Sequence, residues 1–297
     1  MGIDSAVLSF LLYCRRRHSL SLGAVATLGR QHLTCHPKMV EELIRRHGAQ
    51  GVDQSADFGQ GSEFGDRLLV TLGATSVDAV DASDYEGASH VVDLNERLPS
   101  ALDGRFDLVL DGGTLEHVFN FPTALANAVR MLKLNGCFLG CFVCNNFAGH
   151  GFYQISPELA FRAFAPEHGL ELLEVVLIEP SRPNRWFRVI DPALLGSRAW
   201  ISVGRETYLM VLARRETLCE PFLHPPQQAD YEALWSQSGD ARPSGTQMRG
   251  VTALSRFSGL LRMWRALPDG AKSFVRRHCF GPGRLGRAFV RIDPFAS

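Results

Sequence analysis

The stretch DLVLDGGTLEHVFN, residues 107–120, decides how this chain is read. Leu108-Val109-Leu110 is a short apolar run, the pattern of a buried strand. It stops at Asp111-Gly112-Gly113 and restarts with Thr114, Glu116 and His117 where the pattern predicts a helix entrance. An acid, a bare backbone and a histidine at the mouth of a buried strand ask for a chemical reason.

Further along, residues 123–133 carry Leu125, Val129 and Leu132 on one helical face. Thr123, after Pro122, is placed to cap that helix, and Asn135-Gly136 to stop it. The run CFLGCFVC, 137–144, is apolar without alternation, as in a central parallel strand covered on both faces. A helix over 157–168 and strands over 170–179 and 206–213 follow. The two strands are placed to form an antiparallel pair, with an irregular segment at 180–205 between them.

Before residue 107, a helix starts near Asp4 or Ser5, and a buried strand over 22–28 is closed by Gly29-Arg30-Gln31. Helices are expected over 37–47 and 63–72, separated by a polar, glycine-rich loop at 48–62. Short strands over 76–83 and 89–95 each carry an aspartate near the far end, Asp81 and Asp93. Strands alternating with helices predict an α/β fold: a doubly wound, mainly parallel sheet with helices on both faces.

Composition agrees with an ordinary soluble globular protein. Of 297 residues, 45% are hydrophobic and 21% charged. Thirty-one basic and 31 acidic residues cancel, so no global field argues for nucleic acid. Seven cysteines, irregularly spaced, and no visible export signal lead us to expect a reducing, cytoplasmic setting. Cys137, Cys141 and Cys144 read as buried strand residues, and no metal is expected. No apolar run approaches the ~18 residues of a membrane span.

The chain divides into an N-terminal helix (1–21), a main domain (22–217) and a C-terminal extension (218–297). Within the extension, 236–250 resembles a flexible linker. Residues 242–297 carry eleven basic residues against Asp269 and Asp293. The segment 251–267 predicts an amphipathic helix, with Leu254, Phe257, Leu261 and Trp264 on one face. It is suited to covering the acidic main domain, or to peripheral contact with an anionic membrane.

In an open parallel sheet, ligands bind beyond the carboxyl ends of the strands. The residues expected there are Gly29, Asp81, Asp93, Asp111-Gly112-Gly113 and Asn145-Asn146. An acid after the second strand can accept hydrogen bonds from ribose hydroxyls, and side-chain-free positions let the backbone approach a ligand. His117, at a helix start, would tend to stay neutral and able to take a proton. His150 and Tyr153, in CNNFAGHGFYQISPE (144–158), are a second candidate base and an acceptor contact.

Residues 106–139, with Leu115-Glu116-His117, Arg130-Met131-Leu132-Lys133 and Asn135-Gly136, resemble class I S-adenosylmethionine-dependent methyltransferases. VDAVDAS (77–83) resembles that family's second strand, and VVDLNERLP (91–99) its adenine-side loop. The resemblance implies a Rossmann-like sheet of seven strands and S-adenosyl-L-methionine as cofactor. It implies cofactor contacts from Gly29, Arg30, Asp81, Ala82, Asp93, Leu94, Asp111, Gly112 and Gly113. It further implies catalytic roles for Glu116, His117 and His150, and acceptor contacts from Asn146 and Tyr153. The acceptor would be a small molecule or glycan precursor, methylated on oxygen or nitrogen.

The family's first glycine-rich loop is degenerate here. Gly29 competes for it with Asp57, Gly59 and Gly61 of DFGQG. That degeneracy keeps open an alternative, a catalytically inactive member of the fold acting as a binding partner. Nicotinamide chemistry is disfavoured, because no GxGxxG follows a strand.

Overall fold

Nearly every central strand is apolar on both faces, and this sets the architecture. Along 106–111, Leu108 and Leu110 point into one core while Phe106 and Val109 point into another. A strand buried on both sides must be covered by helices on both sides, so a three-layer sandwich forms.

A computed structural model describes residues 2–49, 64–195, 198–201, 203–238 and 288–296. In chain order the elements begin with β1 (Gly2–Ile3), α1 (Ser5–His18), β2 (Gly23–Leu28), β3 (His32–Leu33) and α2 (Pro37–Arg46). Next come α3 (Asp66–Thr71), β4 (Ala74–Asp81), β5 (His90–Val91), β6 (Phe106–Asp111) and α4 (Phe121–Met131). Then follow β7 (Leu132–Asn145), α5 (Pro157–Ala163), β8 (Leu170–Glu179), β9 (Arg182–Val189) and α6 (Pro192–Leu195). The last are β10 (Thr207–Arg215), α7 (Ala229–Ser238) and β11 (Phe289–Ile292).

The main sheet runs β11-β9-β8-β10-β7-β6-β2-β4-β5. From β5 to β7 every pair is parallel. β10 is antiparallel to both β7 and β8, β9 to β8, and β11 to β9. The expectation of seven strands is therefore corrected to nine in a mixed sheet. The segment 180–205 is not all irregular: residues 182–189 form β9, which buries Trp186 and Phe187. The described part of the C-terminal extension carries both a helix, at 229–238, and a strand at the sheet edge, at 289–292. The amphipathic helix expected at 251–267 lies outside the described residues, as does DFGQG at 57–61.

Three boundaries moved. The cap of α4 is Asn120, not Thr123, with Pro122 in the first turn. Asn135-Gly136 does not stop that helix, which ends at Met131. The chain passes directly into β7, and Asn135 takes a left-handed φ of 64° inside it. Helix 157–168 ends at Ala163 and resumes as a single 3-10 turn at Pro166–His168. The N-terminal helix begins where expected, with Asp4 Oδ1 accepting from the Ala6 and Val7 amides at 2.8 and 2.9 Å. It is no separate module, however: Ala6 to Cys14 are all buried on the sheet.

Candidate functional site

β2 has β4 and β5 on one side and β6 and β7 on the other, so the strand order reverses at its carboxyl end. Crevices open at such points in doubly wound sheets. Because β2, β4, β5 and β6 are parallel, Gly29, Asp81, Asp93 and Asp111 all emerge at one edge.

Gly29 turns the chain there with a φ of +69°, the left-handed region that favours glycine. A Cβ on it would lie 2.9 Å from Thr114 Oγ1 and 3.6 Å from Asp81 Oδ2. The ends of β2, β4 and the turn after β6 therefore meet in one cradle. Thr114 ties the cradle together, its hydroxyl donating to the Leu28 carbonyl at 2.6 Å. Asp81 is half-exposed beside it, and its own carbonyl accepts from the Val92 amide at 2.8 Å, which brings the 92–95 loop alongside.

Other expected contacts are engaged elsewhere. Arg30 turns away, its guanidinium on Asp66 Oδ2 at 2.8 Å, on the Glu86 carbonyl at 2.6 Å and over the Phe64 ring. Asp93 is exposed and caps its own loop through the Asn95 amide at 2.8 Å, which lowers its pKa. Leu94 is buried, with its carbonyl on Asn127 Nδ2. Ala82 is exposed.

Asp111, Gly112 and Gly113, expected as cofactor contacts, are all three buried. Asp111 Oδ1 accepts from the Gly113 and Thr114 amides at 3.2 and 2.8 Å, while Oδ2 has no hydrogen-bond partner. Desolvation raises its pKa well above the usual carboxylate range. The space beside Gly112 is filled by Gln31, whose Oε1 would lie 2.1 Å from a Cβ there. Gln31 is itself buried, with Nε2 donating to the Leu28 carbonyl at 2.5 Å and Oε1 unpartnered. β1 pairs with β3 in register Gly2↔His32 and Ile3↔Leu33, which lays the first residues over this edge.

One loop away, three expected catalytic residues come together. Residues 115–117 form a single 3-10 turn, not the start of α4. Glu116 is fully buried, and neither carboxylate oxygen has a hydrogen-bond partner. Desolvation raises its pKa, and the Asp111 charge adds to the shift. His117 is exposed, with Nε2 3.2 Å from His150 Nε2; the latter lies 3.7 Å from Glu116 Oε1. The His117 pKa is lowered, as expected, but the cause is partial desolvation and then His150, not a helix dipole.

The 147–153 loop is held over this turn by the Phe152 and Tyr153 amides, which donate to the Glu116 carbonyl at 2.8 and 3.3 Å. Gly151, at a φ of +67°, allows that approach, since a Cβ would sit 2.8 Å from the same carbonyl. Tyr153 donates its hydroxyl to the Phe119 carbonyl at 2.7 Å, and Asn146 donates to the Val203 and Arg205 carbonyls, both at 2.8 Å. Both expected acceptor contacts are thus bound within the chain. Phe119 and Phe152, 72% and 66% exposed, stack edge to face on one another, while Phe147 meets the His150 ring.

The sequence reading quoted Gln31, Thr114, Phe119 and Phe152 but gave none of them a role in the site. Gln31 and Thr114 each follow a strand end by three residues, and that position was the available signal. Nothing local marks Phe119 or Phe152 as neighbours.

No family model and no curated protein matches the chain. Solved structures do. One is 1,6-didemethyltoxoflavin-N1-methyltransferase of Burkholderia thailandensis, 16% identical over 72% of this chain and 79% of that one, TM-score 0.40. Another is the N-methyltransferase NodS of Bradyrhizobium japonicum, 12% identical over 70% and 94%, TM-score 0.37. A third is the branched-chain polyamine synthase of Thermus thermophilus, 15% identical over 76% and 61%, TM-score 0.37. The description of the fold rests on the strand order above and not on these similarities.

Proposed function

We propose that this chain is an S-adenosylmethionine-dependent methyltransferase acting on an oxygen or nitrogen of a small molecule or glycan precursor. The observation that supports this best is the cradle of Gly29, Asp81 and Thr114 at the switch point. It has a half-exposed acid where a ribose would need one.

The cofactor fits what surrounds the cradle. Asp81 would take the ribose hydroxyls, and the Asp93-Leu94 loop would flank the adenine. The two orphaned acceptors, Gln31 Oε1 and Asp111 Oδ2, suit the ammonium of the amino-acid end. When bound, S-adenosylmethionine supplies a methyl group activated by its sulfonium. The chain's own part is positioning and proton handling. Glu116, His117 and His150 stand on the acceptor side, where the acceptor's proton must leave. Phe119 and Phe152 offer an apolar wall, so an acceptor with a flat or apolar portion is expected.

Thermal denaturation with S-adenosylmethionine, S-adenosylhomocysteine and NAD tests the reading. A ligand at ~100 times its dissociation constant stabilises by about 2.7 kcal/mol. The two methionine-derived ligands should raise the melting temperature, NAD should not, and Asp81→Ala should abolish the rise. Absence of any shift with either ligand would overturn the proposal. It would favour the second reading, a noncatalytic binding module, which draws on Gln31 filling the space beside Gly112.

A further inference from the structure

Glu116, His117 and His150 present one oxygen and two nitrogens all within 4.8 Å of one another. Three features of this group are unexplained by packing. The Glu116 carboxyl is fully buried, yet neither oxygen has a hydrogen-bond partner. Leaving such a group unsatisfied is costly, and buried charges are ordinarily paired or bound to metals. The two imidazoles point the same atom, Nε2, at each other across 3.2 Å. Finally, the loop bearing His150 is clamped to Glu116 by two backbone hydrogen bonds, so the arrangement is built and not incidental.

The spacing has a chemical meaning. Metal–ligand bonds of about 2.0–2.2 Å at near-tetrahedral angles put ligand atoms about 3.3–3.5 Å apart. Two of the three separations, 3.2 Å between the nitrogens and 3.7 Å from His150 Nε2 to Glu116 Oε1, lie on either side of that value, and the third is within 4.8 Å. We propose that Glu116, His117 and His150 bind a divalent first-row transition-metal ion such as Zn2+ or Co2+. Two imidazoles and one carboxylate suit these borderline ions better than Mg2+ or Ca2+, which prefer all-oxygen shells. Three protein ligands leave a position open, the pattern of catalytic and not structural sites. His117 is exposed and His150 half-exposed, so that position can be reached from solvent.

Metal binding stands independently of the methyltransferase reading; its use rests on that reading. There the open position takes a hydroxyl of the acceptor, whose proton is then lost to water because the metal lowers its pKa. Both Nε2 lone pairs are engaged, so the imidazoles act as ligands and not as bases. Phe119 and Phe152, each two residues along the chain from one of the histidines, would hold the rest of the acceptor.

The test uses the untagged full chain, stripped with chelator and titrated with Co2+, then with Zn2+ as competitor. Expected are one Co2+ per chain, visible d–d absorption without near-ultraviolet thiolate bands, and displacement by Zn2+. Loss of an outer-shell partner alone costs roughly 10–100-fold in affinity. His117→Ala and His150→Ala, which remove ligands outright at accessible positions, should weaken binding more than about a hundredfold. Circular dichroism verifies that both variants remain folded, and a Zn2+-dependent rise in the wild-type melting temperature needs no variant. Absence of stoichiometric binding, thiolate bands, or affinity unchanged in both variants would each overturn the site. Co2+ binding without any S-adenosylhomocysteine shift would leave the metal site standing and remove the methyltransferase; the reverse would remove only the metal.

Discussion

His47 follows α2 and is 1% exposed, with Nε2 2.8 Å from Ser9 Oγ on α1 and its other ring nitrogen unpartnered. Desolvation, reinforced by Arg16 and Arg46, pushes its pKa down to about 4. The unfolded chain takes up that proton first, near pH 6.5. The stability held by neutral His47 is therefore complete above about pH 6.5 and declines as pH falls toward 4. The full linkage is about 3 kcal/mol. Melting temperatures between pH 7.5 and 4.5 should fall for the wild type and fall less for His47→Gln. At the same scale, the residue types of the site were legible: Gly29, Asp81, Glu116, His117 and His150 reach one edge. Their states were not. Whether an acid stays half-exposed like Asp81 or is buried like Asp111 depends on which segments cover it. The residues covering Gly112, Gln31 and Gly2, lie about 80 and 110 positions earlier.

Among the elements, α4 shows how a helix fixes a loop at the sheet edge. Asn127 is fully buried on it, and its amide donates to the carbonyls of Glu96 at 2.7 Å and Leu94 at 3.3 Å. Its Oδ1 accepts from the Leu98 amide at 3.3 Å. Asn127→Leu would fit the apolar surroundings but leave three backbone groups unpaired, each costing about 1–3 kcal/mol. The expected loss is about 3 kcal/mol or more, read as a lower urea midpoint. Because the loop carries Asp93 and Leu94, S-adenosylhomocysteine binding should weaken with it. The periodic segments α2, α4, β6 and β8 were readable because one face or both faces bury apolar residues at a regular interval. β9 escaped notice: RPNRWFRV alternates weakly, and only pairing with β8 and β11 makes it a strand.

At the scale of the whole molecule, the sheet closes its far edge with a strand from the end of the chain. Phe289 pairs with Val189, and Ala288 and Phe289 pack into the same core as α4 and α5. Phe289→Ala should lower stability by about 2–4 kcal/mol and expose the β9 edge, seen as a lower melting temperature and earlier aggregation. A buried ion-pair hub binds the N-terminal helix to the opposite half of the sheet: Glu174 on β8 receives Arg188 Nε at 2.6 Å, His18 Nε2 at 3.0 Å and the Tyr13 hydroxyl at 3.3 Å. Burial alone would raise the Glu174 pKa, yet these partners leave it lowered. Residues 1–21 and 289–296 are therefore parts of one body with the main domain.

By itself the sequence determined the class of the fold and the edge at which chemistry can occur. Both follow from local periodicity and from which residues end each strand. Only the tertiary structure decided the number of strands and the burial of Asp111. Only it brought together Glu116, His117 and His150, whose meeting depends on a loop folding back 33 residues later onto one backbone carbonyl. Periodicity reports what a segment buries; it carries no information about which distant segment buries it.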